Sequence, residues 1–267
     1  MTAALDYLRR GWAPLVYARG SKAPKEKGWP DRTYTEAELE AACAKPHNVG
    51  IILGERSGGL VDIDLDTGEA VTLAGSFLPA TEAIFGRKSK PRSHWLYVAR
   101  PCPKTTAFKD SDGATLLEIR ADGHQTMLPP SEHPSGELVT WDRDGDPAAV
   151  GAEALVTAVG KLASASLLVR HWPAPGSRSR QDAALALAGG LLRGGWDADR
   201  AGWFIGQVAT AAGDDEAGKR ASAAEYTATR VKGDKTVQGW PSLARIVGDE
   251  VVSRVREWLG LRSDLGD

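Results

Sequence analysis

Up to about residue 145 the apolar positions come in short runs broken by glycine and proline; beyond Ala148 they recur every three or four residues. In the first region Asn48-Val49-Gly50-Ile51-Ile52-Leu53 reads as a strand. Glu55-Arg56-Ser57-Gly58-Gly59 reads as a turn, and Leu60–Leu65 as a strand returning beside the first in a hairpin. His94–Val98 is another strand. Thr115–Arg120 and Gln125–Leu128 flank Ala121-Asp122-Gly123 and are expected as a second hairpin, which Pro129-Pro130 ends because proline cannot continue a ladder. Glu137–Trp141 adds one more strand. Short helices are expected over Ala3–Arg10 and Thr35–Ala44, the latter opened by a capping box of Thr35 and Glu38.

In the second region Leu155, Val159 and Leu162 share helical spacing, as do Leu185, Leu187, Leu191 and Leu192, then Trp203, Ile205 and Val208. The pattern predicts a bundle of four or five helices over roughly 165–261, with Pro173-Ala174-Pro175-Gly176 as a linker and a frayed tail at 262–267. Trp172, Trp196, Trp203, Trp240 and Trp258 are expected to pack within it. The expected fold class is α+β: a sheet domain over residues 1–147, a connecting helix and linker over 148–175, and an all-α bundle over 176–267.

One stretch of the sheet region carries candidate chemistry. Val61-Asp62-Ile63-Asp64-Leu65-Asp66 sets three carboxylates at every second position. In a strand these acids share one face, and Val61, Ile63 and Leu65 cover the other. Like charges so close repel, and a divalent cation held by a few carboxylates plus substrate phosphates removes the conflict. The competing explanation is a solvated edge strand whose charge resists aggregation. Two further features fit phosphoryl transfer. His94 opens a strand just after the basic run Arg87-Lys88-Ser89-Lys90-Pro91-Arg92, and Glu118 shares a strand face with Arg120. Carboxylates that bridge metals, with cationic or imidazole donors for a triphosphate, are what nucleotide chemistry needs.

Composition narrows the setting. With 267 residues, 42% hydrophobic and 25% charged, the chain is an ordinary soluble globular protein of one large or two modest domains. A net charge of −2 argues against sequence-blind coating of DNA, so nucleic-acid contact must come from local patches. Apolar runs such as Val49–Leu53 are too short to span a bilayer, and Met1-Thr2-Ala3-Ala4-Leu5-Asp6 lacks a signal-peptide pattern. Cys43 and Cys102 are the only cysteines, which leaves no disulfide framework or cysteine zinc site. A cytoplasmic protein without membrane partners is expected. Gly213-Asp214-Asp215-Glu216-Ala217-Gly218-Lys219-Arg220 nearly spells a phosphate-binding loop, but it lacks Ser or Thr after the lysine and follows a helix.

The order of motifs resembles the bifunctional DNA primase/polymerase (prim-pol) family of the archaeo-eukaryotic primase superfamily. The resemblance covers about residues 5–142: Gly11-Trp12, Lys22-Ala23-Pro24, Asn48–Gly54, Asp62 with Asp64, His94, Leu117-Glu118-Ile119-Arg120-Ala121-Asp122-Gly123, and Pro129-Pro130-Ser131-Glu132-His133-Pro134-Ser135-Gly136. The last string, in register behind the others, is the most specific. This chain has Glu118 where the family has Asp, and Arg92 where it has Ser.

The resemblance implies a catalytic domain with an RRM-like antiparallel sheet core, and a helical bundle like the one that follows prim-pol domains in phage and plasmid replication proteins. It implies Mg²⁺ or Mn²⁺ on Asp62, Asp64 and Glu118, with Asp66 matching no ligand position. It places nucleotide phosphates near His94, Arg92, Ser93, Lys22 and Arg120, and DNA near Arg87, Lys88, Lys90, Arg178 and Arg180. Implied partners are a single-stranded DNA template, nucleoside triphosphates and a replicative helicase. The expected activity is template-dependent nucleotidyl transfer by a phage, plasmid or other mobile element. A non-catalytic replication-initiation module and a metal-dependent nuclease are the alternatives.

Overall fold

In the computed structural model the described residues are 2–174, 176–177 and 179–261. Pro175 of the expected linker, Arg178 and the expected frayed tail lie outside them. Chain order begins with α1 (Ala3–Arg9), β1 (Ala13–Ala18), α2 (Glu36–Ala42), β2 (His47–Ile52), β3 (Leu60–Leu65) and α3 (Gly68–Phe77). It continues with β4 (Ala83–Arg87), β5 (Lys90–Val98), β6 (Thr106–Lys109), β7 (Thr115–Arg120), β8 (Gln125–Leu128), β9 (Val139–Asp144) and β10 (Ala148–Ala149). From there the chain is helical: α4 (Ala152–His171), α5 (Ser179–Arg193), α6 (Ala198–Ala211), α7 (Ala217–Lys232), α8 (Trp240–Val247) and α9 (Asp249–Trp258). An antiparallel sheet region followed by helices is the α+β class the sequence predicts.

The chain divides into two units. One comprises Met1–Val71, Pro79–Phe108 and Leu117–Val156, and the other Thr72–Leu78, Lys109–Leu116 and Thr157–Asp267.

Two sheets build the first unit. β1-β2-β8 forms a three-stranded sheet, and β6-β7-β3-β5-β4-β9 a larger one in which β10 pairs with β5. Neither expected hairpin forms. β2 pairs with β1 and β8, whereas β3 pairs with β5 and β7, so each sequence-adjacent strand pair is split between sheets. The cause lies at the two crossovers. Gly54 takes φ +81°, and a Cβ there would lie 1.8 Å from Asp122 Oδ1. Because glycine has no Cβ, the Asp122 carboxylate enters and accepts a bond from the Glu55 N–H at 2.8 Å. Glu55 follows β2 and Asp122 follows β7, so this one bond ties the two crossovers together. Of the first hairpin only a bridge between Gly54 and Leu60 remains.

β3 therefore runs through the interior of the larger sheet, with Val61, Asp62, Ile63 and Leu65 all fully buried. A solvated edge strand is excluded. Leu5, Tyr7, Leu39, Val49, Ile51, Phe85, Leu96 and Leu128 form a single core cluster that joins α1 and α2 to strands of both sheets. Each such side chain contributes about 1.5–3 kcal/mol when buried. α2 keeps its capping box, with the Glu38 N–H donating to Thr35 Oγ1 at 3.3 Å. Trp12 stacks on Tyr7 at 5.5 Å, and the Tyr7 hydroxyl donates to Pro129 O at 2.6 Å, which anchors the segment after β8.

In the second unit Val159, Leu162, Leu167 and Leu168 of α4 are fully buried, as are Leu187, Leu191, Phe204, Ile205 and Val208. By length and composition Ala152–His171 could cross a membrane, unlike the short runs weighed above, but more than half of that stretch is buried inside the protein, as for a core helix. Trp172, Trp196 and Trp240 are buried, while Trp203 is 45% exposed beside Phe77, at 4.9 Å. The Gly213–Arg220 stretch leads into α7 and its Asp214 is buried, bonded to Arg180 and Arg220.

Candidate active site

Strand register brings residues distant in sequence into one row. Asp64 stands opposite His94 of β5 on one side and Glu118 of β7 on the other. His94 in turn stands opposite Phe85 of β4, and the two rings stack at 4.6 Å with 5° between their planes. The next rung pairs Asp62 with Arg120. Directly paired strand residues share a face, so the acids, the imidazole and the guanidinium all project to one side of the sheet.

Carboxylate oxygens of Asp64, Asp66 and Glu118 all lie within 4.8 Å of one another, a set that can hold a metal ion. Several carboxylate donors suit hard divalent cations such as Mg²⁺ or Mn²⁺. Asp62, expected beside Asp64 and Glu118 as a ligand, is placed differently. It is fully buried, with His94 Nδ1 3.0 Å from its Oδ2 and Arg120 Nη1 at 4.0 Å. Asp66, which matched no ligand position, is the third member of the cluster instead. Asp66 lies one residue beyond the end of β3, so strand alternation alone does not fix where its carboxylate goes.

Fixed cations offset the acids. Arg120 Nη1 reaches Asp64 at 3.4 Å, and Lys90 Nζ reaches Asp66 at 3.1 Å. Burial disfavours charge on His94, but Asp64 and Asp62 outweigh it and hold the imidazole above its usual range. Burial likewise opposes ionisation of Asp62, and His94 reverses it, leaving that carboxyl below the usual carboxylate range.

Beside this row is a cavity of about 330 Å³. Lys22, Asp64, Asp66, Arg87, Lys90, Ser93, His94, Arg120 and His133 are among the residues that line it. The loop bearing Lys22 is fixed through the buried Asn48, whose side-chain amide donates to Ser21 O at 3.0 Å and to Glu132 O at 2.7 Å. Gln125 Nε2 donates to Lys22 O at 3.2 Å. Ser131 Oγ bonds both the N–H and the C=O of Val49, so the Pro129–Gly136 string is pinned along β2 and carries His133 to the cavity. Glu137 accepts from Arg87, Ser89 and Ser135 and fixes the tip of the β4–β5 hairpin. Burial first, then the cations Arg87, Lys22 and Lys90, hold His133 below its usual range against the opposing Glu137.

Two expected contacts, Arg92 and Arg180, are placed elsewhere, while Lys88 stays at the surface. Arg92 does not line the cavity; it lies over Trp95 at 5.5 Å, with Asp142 at 3.5 Å. Lys88 is exposed at the hairpin turn. Arg180, expected at a helix entrance facing phosphate, is 2% exposed and bonds Pro173 O, Asp214 and Asp215, so its charge is taken up inside the bundle. The sequence reading gave no role to His133, although it stands in the most specific string, nor to Gln125, Thr126 and Met127, whose β8 was expected to pair with β7 rather than face the site.

A scan against protein-family models matches residues 4–153 to the bifunctional DNA primase/polymerase, N-terminal family. The match spans more than half of the chain, and the protein belongs to this family. A search of the curated proteins found no match.

Proposed function

We propose that the protein is a template-dependent DNA primase/polymerase of a phage, plasmid or other mobile element. It condenses nucleoside triphosphates on a single-stranded DNA template in the cytoplasm, alongside a replicative helicase. The observation that carries this reading is the cavity that Asp64 and Asp66, clustered with Glu118, share with Lys22, Arg87, Lys90, His94 and His133 from separate strands and loops. An acidic cluster alone would serve a nuclease equally well; the cationic wall suits a triphosphate.

Asp64, Asp66 and Glu118 would hold the metal, and His94, Lys90, Arg87 and Lys22 the phosphates. Mg²⁺ or Mn²⁺ bound there would activate the primer 3′-hydroxyl and stabilise charge on the leaving pyrophosphate. Arg120 neutralises Asp64 in the free protein and lies close enough to meet phosphate once a cation replaces it. Ser93 Oγ, Gln125 Oε1 and Arg120 Nε are buried without a protein partner, as expected of walls that meet a polar ligand.

Incorporation of labelled nucleotides on a primed single-stranded template tests the reading. Extension that requires Mg²⁺ or Mn²⁺ and is lost in Asp64→Asn is expected. Shortening of the template instead would mark a nuclease, and DNA binding without either product a non-catalytic initiation module.

A further inference from the structure

Asp62 is the fully buried acid of the β3 ladder, and a buried charge persists only with partners. His94 Nδ1 lies 3.0 Å from its Oδ2 and 3.3 Å from its Oδ1, against 3.7 Å to Asp64 Oδ1. An ionised carboxylate accepts and cannot donate, so Nδ1 carries the proton in this pair. Phe85, stacked at 4.6 Å, fixes the plane of the ring. With one edge held and one face covered, the imidazole has little freedom to turn. Among the described residues no group bonds Nε2, and His94 lines the cavity.

We propose that Asp62 is a positioning residue rather than a metal ligand. It holds His94 with Nδ1–H turned inward, so that the doubly protonated ring donates Nε2–H to a phosphate oxygen of the incoming nucleotide. Many metal-site histidines are oriented by a carboxylate in the same way, and here the object oriented is a phosphate anchor. The proposal rests on the reading of Asp64, Asp66 and Glu118 as the metal-holding set.

Asp62→Asn keeps the shape of the side chain and removes the anionic acceptor. It should raise KM for nucleotide about tenfold or more, by the scale of such supporting partners, with a smaller change in kcat. Mn²⁺ affinity, measured by titration without nucleotide, should stay within about twofold of wild type, because no ligand is lost. In a His94→Ala background the same substitution should add no further rise in KM, since residues acting through one contact are non-additive. A fall in Mn²⁺ affinity, or a KM effect that multiplies with His94→Ala, would overturn the assignment. If Asp62→Asn does not fold, wild-type protein with ¹⁵N-labelled histidine gives the same decision. The His94 signal, identified by its absence in His94→Gln, should show a protonated Nδ1 both before and after Mg²⁺ is added. An unprotonated Nδ1 refutes the proposal. Full incorporation by Asp64→Asn would bring down the metal reading instead, leaving the histidine spectrum untouched, so the two failures are distinguishable.

Discussion

Both units bury arginine against aspartate, and the two arrangements end in opposite states. In the helical unit Asp214 accepts from Arg220 Nε at 3.0 Å and Trp172 Nε1 at 3.4 Å, with Arg180 Nη1 at 3.2 Å. Arg220 is completed by Gln181 at 2.6 Å and Glu216 at 3.0 Å. Only Nη2 of Arg180 is left over in that group. In the sheet unit the accounting does not close. Three carboxylates crowd together, Arg120 Nε has no partner, and Ser93 and Gln125 bury unpaired oxygens beside them. Residue types that are interchangeable on paper thus make a structural clasp in one place and an unfinished shell in the other. The unfinished shell is where a ligand is expected.

The comparison breaks most sharply if the sheet acids prove structural. Asp64→Asn should cost incorporation about a thousandfold, roughly 4 kcal/mol of transition-state stabilisation, while the thermal midpoint holds or rises because like-charge repulsion is relieved. A steady-state incorporation assay paired with a melting curve reads both. Asp214→Ala should do the reverse. Removing one member of a buried ion pair costs about 3–5 kcal/mol of stability, seen as a lower urea midpoint. An unchanged midpoint would mean the clasp is ornamental.

How much of this was legible in the sequence follows from what alternation can and cannot encode. The helical half was legible because a period of 3.6 is local: Val159, Leu162, Leu187 and Leu191 are buried where their spacing puts them. The acids of β3 were found because alternation fixes a face. Alternation does not say which of these acids gather: the expected metal set is Asp62 and Asp64 with Glu118, whereas the carboxylates that cluster are those of Asp64, Asp66 and Glu118. The two hairpins were misread for a related reason. A short turn predicts local pairing unless something pulls the strands apart, and the contact between Gly54 and Asp122 joins positions 68 residues apart. Arg180 was misjudged because position near a helix start suggests exposure, whereas its acid partners lie about 35 residues downstream.

Acid pH sharpens the contrast from the stability side. Burial opposes ionisation of Asp110, but His171 Nε2 at 2.8 Å, the Ser111 N–H and Arg170 outweigh it and hold the carboxyl below its usual range. Asp214 is depressed likewise, with burial overcome by the Glu216 N–H, Arg220 and Trp172. A carboxyl depressed on folding contributes stability above its unfolded pKa of about 3.9 and loses it as pH falls further. The thermal midpoint should therefore be insensitive to these groups from pH 7 to about 5 and drop below about pH 4. Asp110→Asn should flatten that drop, which circular dichroism melts will show.

The smallest effect belongs to the exposed rim. Lys88→Ala should weaken template binding nearly equally for all sequences and reduce the salt slope by about one, as for a single screened phosphate contact. Binding isotherms across a salt series measure it; an unchanged slope would place the template elsewhere.

The central claim is that Asp64, Asp66 and Glu118 hold the metal, and a Mn²⁺ titration followed by electron paramagnetic resonance tests it most directly. Wild-type protein should take up Mn²⁺ saturably, and Asp66→Asn should lose most of that uptake while melting at the same temperature. Asp66→Asn binding Mn²⁺ as tightly as wild type would contradict it.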